Sequence, residues 1–234
     1  MNTIKLLYPF ANVLGLFFPV GKLENGGTCE FATLECLKKC CAFKGGEKID
    51  FDLKQKCFDY FRINTKEIIL EKIIQELKEK GETILTWFAS GDCPKFLTSK
   101  FAWIVHRLDN EGIIQVGFTR NDYLYDYTSL DIKNGKVLLT MENYQGIKTS
   151  GLYSIPDYKT GAINIIKVIG EEKFLHEGCR GSSEFKIKNK EKVKSHLKLD
   201  CRYCYENKTG CFTEIPIMKK ACSPDYFINN QNKP

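Results

Sequence analysis

The chain has 234 residues, 43% hydrophobic and 27% charged, a globular balance with room for one large domain or two small ones. A net charge of +6, from 35 basic and 29 acidic residues, is too mild to single out nucleic acid or an anionic cofactor as the partner. Eleven cysteines, an odd number in a chain of this length, argue against a disulfide framework and for free thiols in a reducing cytoplasm, where metals can reach them.

Ile4–Val20 is apolar and reads as a strand up to the break at Pro19. Lys5, Pro9, Asn12 and Pro19 interrupt it, so it lacks the uninterrupted length of a membrane span, and no small-residue cleavage site marks it as a signal peptide. Lys22–Gly27 (KLENGG) is a turn, because Asn-Gly and Gly-Gly admit positive φ. Leu34–Phe43 reads as a short helix that would bring Cys36 and Cys40 onto one face. Asn64–Lys80 carries the strongest helical signal, with Ile69, Ile73 and Leu77 on one face, Asn64 and Glu67 as a capping-box-like pair, and Gly81 as the stop.

Thr83–Ala89 follows as a strand ended by Ser90-Gly91-Asp92, then a helix over Ser99–Asn110, then the strand Ile113–Thr119 ended by Arg120-Asn121-Asp122. Tyr123–Leu130 fits neither period cleanly. Val137–Met141, Leu152–Ile155 and Ala162–Ile169 read as further strands. Strand and helix alternating through short links predicts an α/β fold of mostly parallel βα units, forming a partial or closed barrel over residues 1–170. A cysteine-rich metal-binding segment, 171–234, would pack on it. In such sheets chemistry gathers at the C-terminal ends of the strands. Ser90-Gly91-Asp92, Thr119-Arg120-Asn121 and Glu142-Asn143 fall there, although Asp and Ser in such loops also serve as plain helix caps.

The cysteines form two sets. Cys29, Cys36 and Cys40 stand at C-x6-C-x3-C with Cys41 alongside; Cys179, Cys201, Cys204 and Cys211 make the second set, with a C-x2-C knuckle. Thiolates are soft donors that suit zinc and iron–sulfur clusters. Four cysteines in the second set could close a structural zinc site or hold a [4Fe-4S] cluster, and spacing does not decide between them. Three cysteines in the first set would leave one iron open, unless Cys41, Cys57 or Cys93 supplies a fourth ligand. The alternative for either set is buried, unliganded cysteine. His106 lies on a helix, His176 close to Cys179, and His196 in the lysine-rich run Glu184–Lys198, which is either a solvated helix face or an anion-binding patch. No Walker loop, dinucleotide fingerprint, G-x-S-x-G or H-E-x-x-H motif is present.

Leu16–Cys41, with Pro19, Gly21, Thr28, Cys29, Cys36 and Cys40, resembles the opening of the phage "gene product 88" family and its bacterial relatives. Trp87–Asp92 is similar to that family's strand ending in Ser-Gly-Asp. Gly117–Asn121 is similar to its aromatic-Thr-basic strand end, and Cys179 with Cys201-Arg-Tyr-Cys204 to its late cysteine cluster. The chain departs from the pattern in carrying Glu30-Phe31 where Pro-Gly is usual and Arg120 where lysine is commoner. The family's βα pattern and cysteine-rich first loop look similar to radical S-adenosylmethionine enzymes, although the C-x3-C-x2-C of those enzymes is missing here.

The resemblance implies one or two iron–sulfur clusters, a site for S-adenosylmethionine and a need for an electron donor. In that reading Asp92 and Arg120 act beside an open cluster: Arg120 holds a carboxylate or phosphate, and Asp92 accepts a hydrogen bond from a ribose hydroxyl or an amine. Ser90, Gly91, Asp92, Thr119 and Asn121 would line the cofactor. The rival reading is a zinc-stabilised nucleic-acid-binding module, with Glu184–Lys198 on phosphates and Tyr203, Tyr205 and Phe212 stacked on bases. A third is an interaction protein whose cysteines are core residues.

Overall fold

The computed structural model describes residues 4–10, 12–38, 40, 49–128, 132–144, 147–155 and 201–207. The first apolar stretch is a hairpin rather than one strand. β1 (Leu7–Phe10) pairs antiparallel with β2 (Val13–Phe17), and Asn12 turns the chain at φ 70°. Asparagine tolerates that left-handed geometry, which is why the reversal falls there. Pro9 is accommodated because β1 lies on the edge of the sheet, where its missing N–H costs no ladder bond.

After the cysteine loop come α1 (Leu34–Lys38), α2 (Phe51–Ile63) and α3 (Lys66–Glu79). α2 was not anticipated, yet its buried face, Lys54, Cys57, Phe58 and Phe61, has helical spacing. The cap of α3 is Thr65, whose side chain accepts from the Ile68 N–H; Asn64 instead closes α2 by donating to the Tyr60 carbonyl. Gly81 ends α3 at φ 59°, with the Gly81 and Glu82 amides bonded to the Lys78 and Leu77 carbonyls. Gly112 ends α4 (Thr98–Asn110) in the same way.

β3 (Ile84–Ser90), β4 (Ile114–Thr119) and β5 (Gly135–Tyr144) join β2 as a parallel run, and β6 (Ile147–Ile155) returns antiparallel to β5. The sheet is therefore mixed, ordered β1-β2-β3-β4-β5-β6, in an α/β fold. The ambiguous stretch after Asn121 is helix α5 (Asp122–Thr128). The strand expected over Ala162–Ile169 lies outside the described residues.

One face of the sheet is covered by α2 to α5. Its core includes Leu14, Leu16, Leu85, Trp87, Ile69, Ile73, Ile104 and Leu124, with Phe18, Phe61, Phe88 and Phe101 packed ring to ring. Trp87 and Gln115 tie sheet to helix: Trp87 Nε1 donates to Gln115 Oε1 (2.9 Å), and Gln115 Nε2 donates to the Val105 carbonyl (3.0 Å). The opposite face presents Val13, Ile84 and Val116 to Tyr205 of α6 (Cys201–Glu206).

Glu76 is a buried carboxylate with a structural task. It accepts from the Leu6 and Leu7 amides (2.8–3.1 Å) and pairs with Lys72 at 3.4 Å, fastening the entry of β1 to α3. Glu76→Ala leaves two buried amides without acceptors, so a loss of about 3 kcal/mol is expected in a denaturant titration. A change below about 1 kcal/mol would show that water replaces the carboxylate.

Candidate functional site

The site is assembled where the parallel strands end. The chain leaves β2 through Phe18 and Pro19 and makes a tight loop around a single 3-10 turn, Leu23–Asn25, before reaching Cys29. The loop closes on itself: the Asn25 and Gly27 amides both donate to the Lys22 carbonyl, and the Cys29 amide donates to the Gly21 carbonyl at 2.8 Å. Gly27 packs so near Gly21 that a Cβ at Gly27 would lie 2.2 Å from the Gly21 carbonyl, so glycine is required there. Thr28, fully buried, receives the Asp92 amide on its hydroxyl (3.0 Å) and donates that hydroxyl to the Pro19 carbonyl (3.0 Å). The position of Cys29 is thus fixed by backbone on both sides.

Phe88, at φ 52°, lies where the β2–β3 register shifts, so it turns into the helix-side core beside Trp87 instead of alternating with it. Ser90 then donates to the Phe18 carbonyl (2.9 Å), Gly91 adopts φ 72°, and Asp92 points across to the end of β4. One carboxylate oxygen of Asp92 accepts from the Cys93 amide (2.7 Å) and the Thr119 hydroxyl (2.5 Å); the other accepts from the Arg120 amide (2.8 Å). Asn121 caps α5 by accepting from the Leu124 amide (3.0 Å), while its Nδ2 donates to the Cys93 carbonyl and the Thr98 hydroxyl.

Ser90, Gly91, Asp92, Thr119, Arg120 and Asn121 are therefore brought together as expected, but as a clamp joining three strand ends. Asp92 is 5% exposed and already holds three donors from the protein itself. Burial pushes its carboxyl up to about 6, against the downward pull of the Thr119, Arg120 and Cys93 hydrogen bonds and the Arg120 charge. The unfolded carboxyl titrates near its ordinary value of about 3.9. Between these values the folded chain keeps a proton that the unfolded chain has released, so stability falls as pH rises through the window and levels off above it. The folded-minus-unfolded shift corresponds to about 3 kcal/mol. Wild type should lose about 2 kcal/mol more than Asp92→Asn between pH 4 and pH 6.5 in parallel urea titrations, the rest of the shift falling outside that window; equal losses would place the proton elsewhere.

Cys29, Cys57 and Cys93 are free thiols. Cys36 lies in α1, which Thr33 caps by accepting the Cys36 amide (3.0 Å), and Cys40 follows the helix end. Burial pushes the Cys29 thiol up to about 12; the neighbouring Asp92 carboxylate, Cys40 and Cys36 push the same way, and a backbone hydrogen bond from Gly21 pulls against them. Cys36 and Cys40 thus lie within electrostatic reach of Cys29, though among the described residues no three Cys, His, Asp or Glu side chains are drawn close enough to hold a metal ion.

Lys54 faces this group from α2. It is 7% exposed, and burial lowers its ammonium pKa while the charge at Cys40 offsets part of that cost. Nothing in the spacing of the cysteines pointed to Lys54. The available signal was a charged residue on an otherwise apolar helical stripe. Cys57 and Cys93 stand apart as core residues, donating weakly to the Leu6 and Pro94 carbonyls, and burial raises both thiols.

The outer rim is aromatic and basic. Phe31 packs against Tyr123, Lys95 Nζ lies over the Tyr123 ring at 4.9 Å, and the Lys95 amide donates to Glu30. His106 Nε2 sits 2.9 Å from the Tyr127 carbonyl on the exposed side of α4, away from the thiols. Cys201 and Cys204 lie on α6, against the opposite face of the sheet. Cys41, Cys179, Cys211, Phe212, His176, His196 and the lysine run Glu184–Lys198 lie outside the described residues. No helix among the described residues is long and apolar enough to cross a membrane. No protein family, curated protein or solved structure matches the chain.

Proposed function

We propose that this chain is an iron–sulfur protein whose Cys29, Cys36 and Cys40 hold a cluster at the C-terminal ends of the parallel strands, on a sheet of partial-barrel type. The observation that carries this reading is the setting of Cys29: a half-buried thiol fixed by backbone, with the Asp92 carboxylate and two further thiols as its electrostatic neighbours. Such a group is unfavourable as a set of anions in isolation, and a bound cation reverses that balance. Three thiolates of this kind suit a soft metal. A cluster held by three thiolates supplies one open iron to a ligand or an electron carrier.

In this reading Arg120, half-buried at the β4 end, provides the positive charge for an anionic ligand. Asp92 positions it by holding the Arg120 amide, and does not itself meet the ligand. The likeness to the phage "gene product 88" family belongs to the same proposal. Its support is that Pro19, Gly21 and Thr28, the residues that carry the likeness, are the ones that fix Cys29. Purification under oxygen exclusion, with iron and acid-labile sulfide counted per chain, tests the reading. Visible absorption lost in Cys29→Ser is the expected result; a colourless wild-type protein that holds zinc alone overturns it.

A further inference from the structure

Lys54 is the charged member of an otherwise apolar stripe: with Cys57, Phe58 and Phe61 it forms the buried face of α2, and it is 7% exposed. Lysine is rarely buried to this extent, because the ammonium loses its hydration and the long side chain its rotamer freedom. The stripe fixes where Lys54 points. Phe58 packs against Phe18 (5.4 Å between ring centroids), where the chain leaves β2 for the cysteine loop, and against Phe96 (6.2 Å), between β3 and α4. Lys54 lies one turn before Phe58 on the same face, and helical side chains lean toward the N-terminus. That is the end of α2 nearer in sequence to Cys40, so the ammonium reaches toward the thiol group. The acids of the first turn, Asp50 and Asp52, are exposed. Two electrostatic relations agree with this placement. Burial lowers the Lys54 ammonium while the charge at Cys40 raises it. Cys40 and Cys36 in turn push the Cys29 thiol upward, after burial and the Asp92 carboxylate.

We infer that Lys54 is the counter-charge of the thiol site: a positive charge held on the inside of α2 that draws anionic reactants to Cys40 and offsets the thiolates a soft metal would gather. The second half of this inference rests on the cluster reading; the first concerns the metal-free chain and does not. Three thiolates around a divalent metal carry a net negative charge, and one cation at the edge of the group neutralises it. A unit charge several ångström away in a partly buried setting changes the local concentration of an anion by about fivefold. Lys54 would act through the thiols rather than as one of the ligands, since a charged ammonium has no lone pair to give a metal.

The test alkylates the full-length, metal-free chain with anionic iodoacetate and with neutral iodoacetamide, and follows the Cys40 peptide by mass. Both reagents react with the thiolate, so the ratio of their rates does not depend on how much of the thiol is ionised and reports the local charge. In the folded wild type the iodoacetate-to-iodoacetamide ratio at Cys40 should be about fivefold higher than in the same chain unfolded in urea. Lys54→Met, which keeps an unbranched side chain on the stripe, should remove that excess, and Lys54→Arg should keep it. Zinc, offered alone as the probe metal, should bind about fivefold more weakly to Lys54→Met than to the other two proteins. A ratio unchanged by Lys54→Met overturns the inference, as does a ratio lost equally in Lys54→Arg, which would mark a packing role. Equal zinc affinity in all three proteins overturns it too. A wild-type ratio no higher folded than unfolded overturns it even where Lys54→Met does not fold. If the ratios behave as described and the chain takes up neither zinc nor iron, the cluster reading fails and the counter-charge at Cys40 stands.

Discussion

Gly91→Ala should cost about 4 kcal/mol and lower the melting temperature by roughly 10 °C, at about 2–4 °C per kcal/mol for a chain of this size. Two effects add. The residue sits at φ 72°, where a side chain costs about 1 kcal/mol or more. The added Cβ would also lie 2.6 Å from the Thr28 hydroxyl, 2.7 Å from Phe18 Cβ and 2.8 Å from the Phe18 carbonyl oxygen, too close for any of them. Overpacking of this kind costs typically about 1–3 kcal/mol, and moving Thr28 also strains its bonds to Pro19 and to the Asp92 amide. Gly81→Ala is the internal control: it has φ 59° and nothing within 4 Å of its Cβ, so only the backbone cost remains. Equal melting of the two variants would show that the strand ends yield easily and that the clamp is not rigid.

The second large effect is on metal uptake. Each thiol that binds must release its proton, so apparent affinity rises with pH wherever the thiols are protonated. At neutral pH the Cys29 thiol, pushed up to about 12, is protonated and must release that proton to bind. Three coordinating thiols give an increase of up to about a thousandfold per pH unit, and Cys29→Ser should lower the slope to about a hundredfold. The measurement is competition against a chelator of known pH dependence, from pH 6 to pH 7.5. A slope unchanged by Cys29→Ser would remove Cys29 from the ligand set. At metal concentrations a thousand times the dissociation constant, binding adds about 4 kcal/mol to stability, so metal removal should lower the melting temperature by roughly 8–16 °C.

The helices were legible because their faces and stops are local. Ile69, Ile73 and Leu77 repeat with the helical period, and Gly81 and Gly112 supply the left-handed residue that ends each helix. The strand ends were legible for a similar reason: Ser90-Gly91-Asp92 and Thr119-Arg120-Asn121 break apolar runs. Their task was not legible. Ser, Asp and Asn look alike whether they meet a ligand or hold backbone, and only the fold shows Asp92 occupied by Cys93, Thr119 and Arg120. α2 was missed because Lys54 interrupts its apolar stripe, and that interruption is the residue that faces Cys40.

What the sequence determined by itself is the alternation of strand and helix, the glycine stops of the helices, and the nearness of Cys36 and Cys40 to Cys29 along the chain, because each depends on neighbours a few residues away. What only the tertiary structure decided depends on partners far apart in the chain: the hairpin that splits the first apolar stretch and sets β1 on the edge, the burial that raises Asp92, and the seat of α6 at the strand starts. Arg202 meets Asn12 and Glu82 across 190 and 120 residues. No local pattern encodes such a meeting, since it is fixed by which faces of the sheet remain to be covered once the helices have packed on the other side.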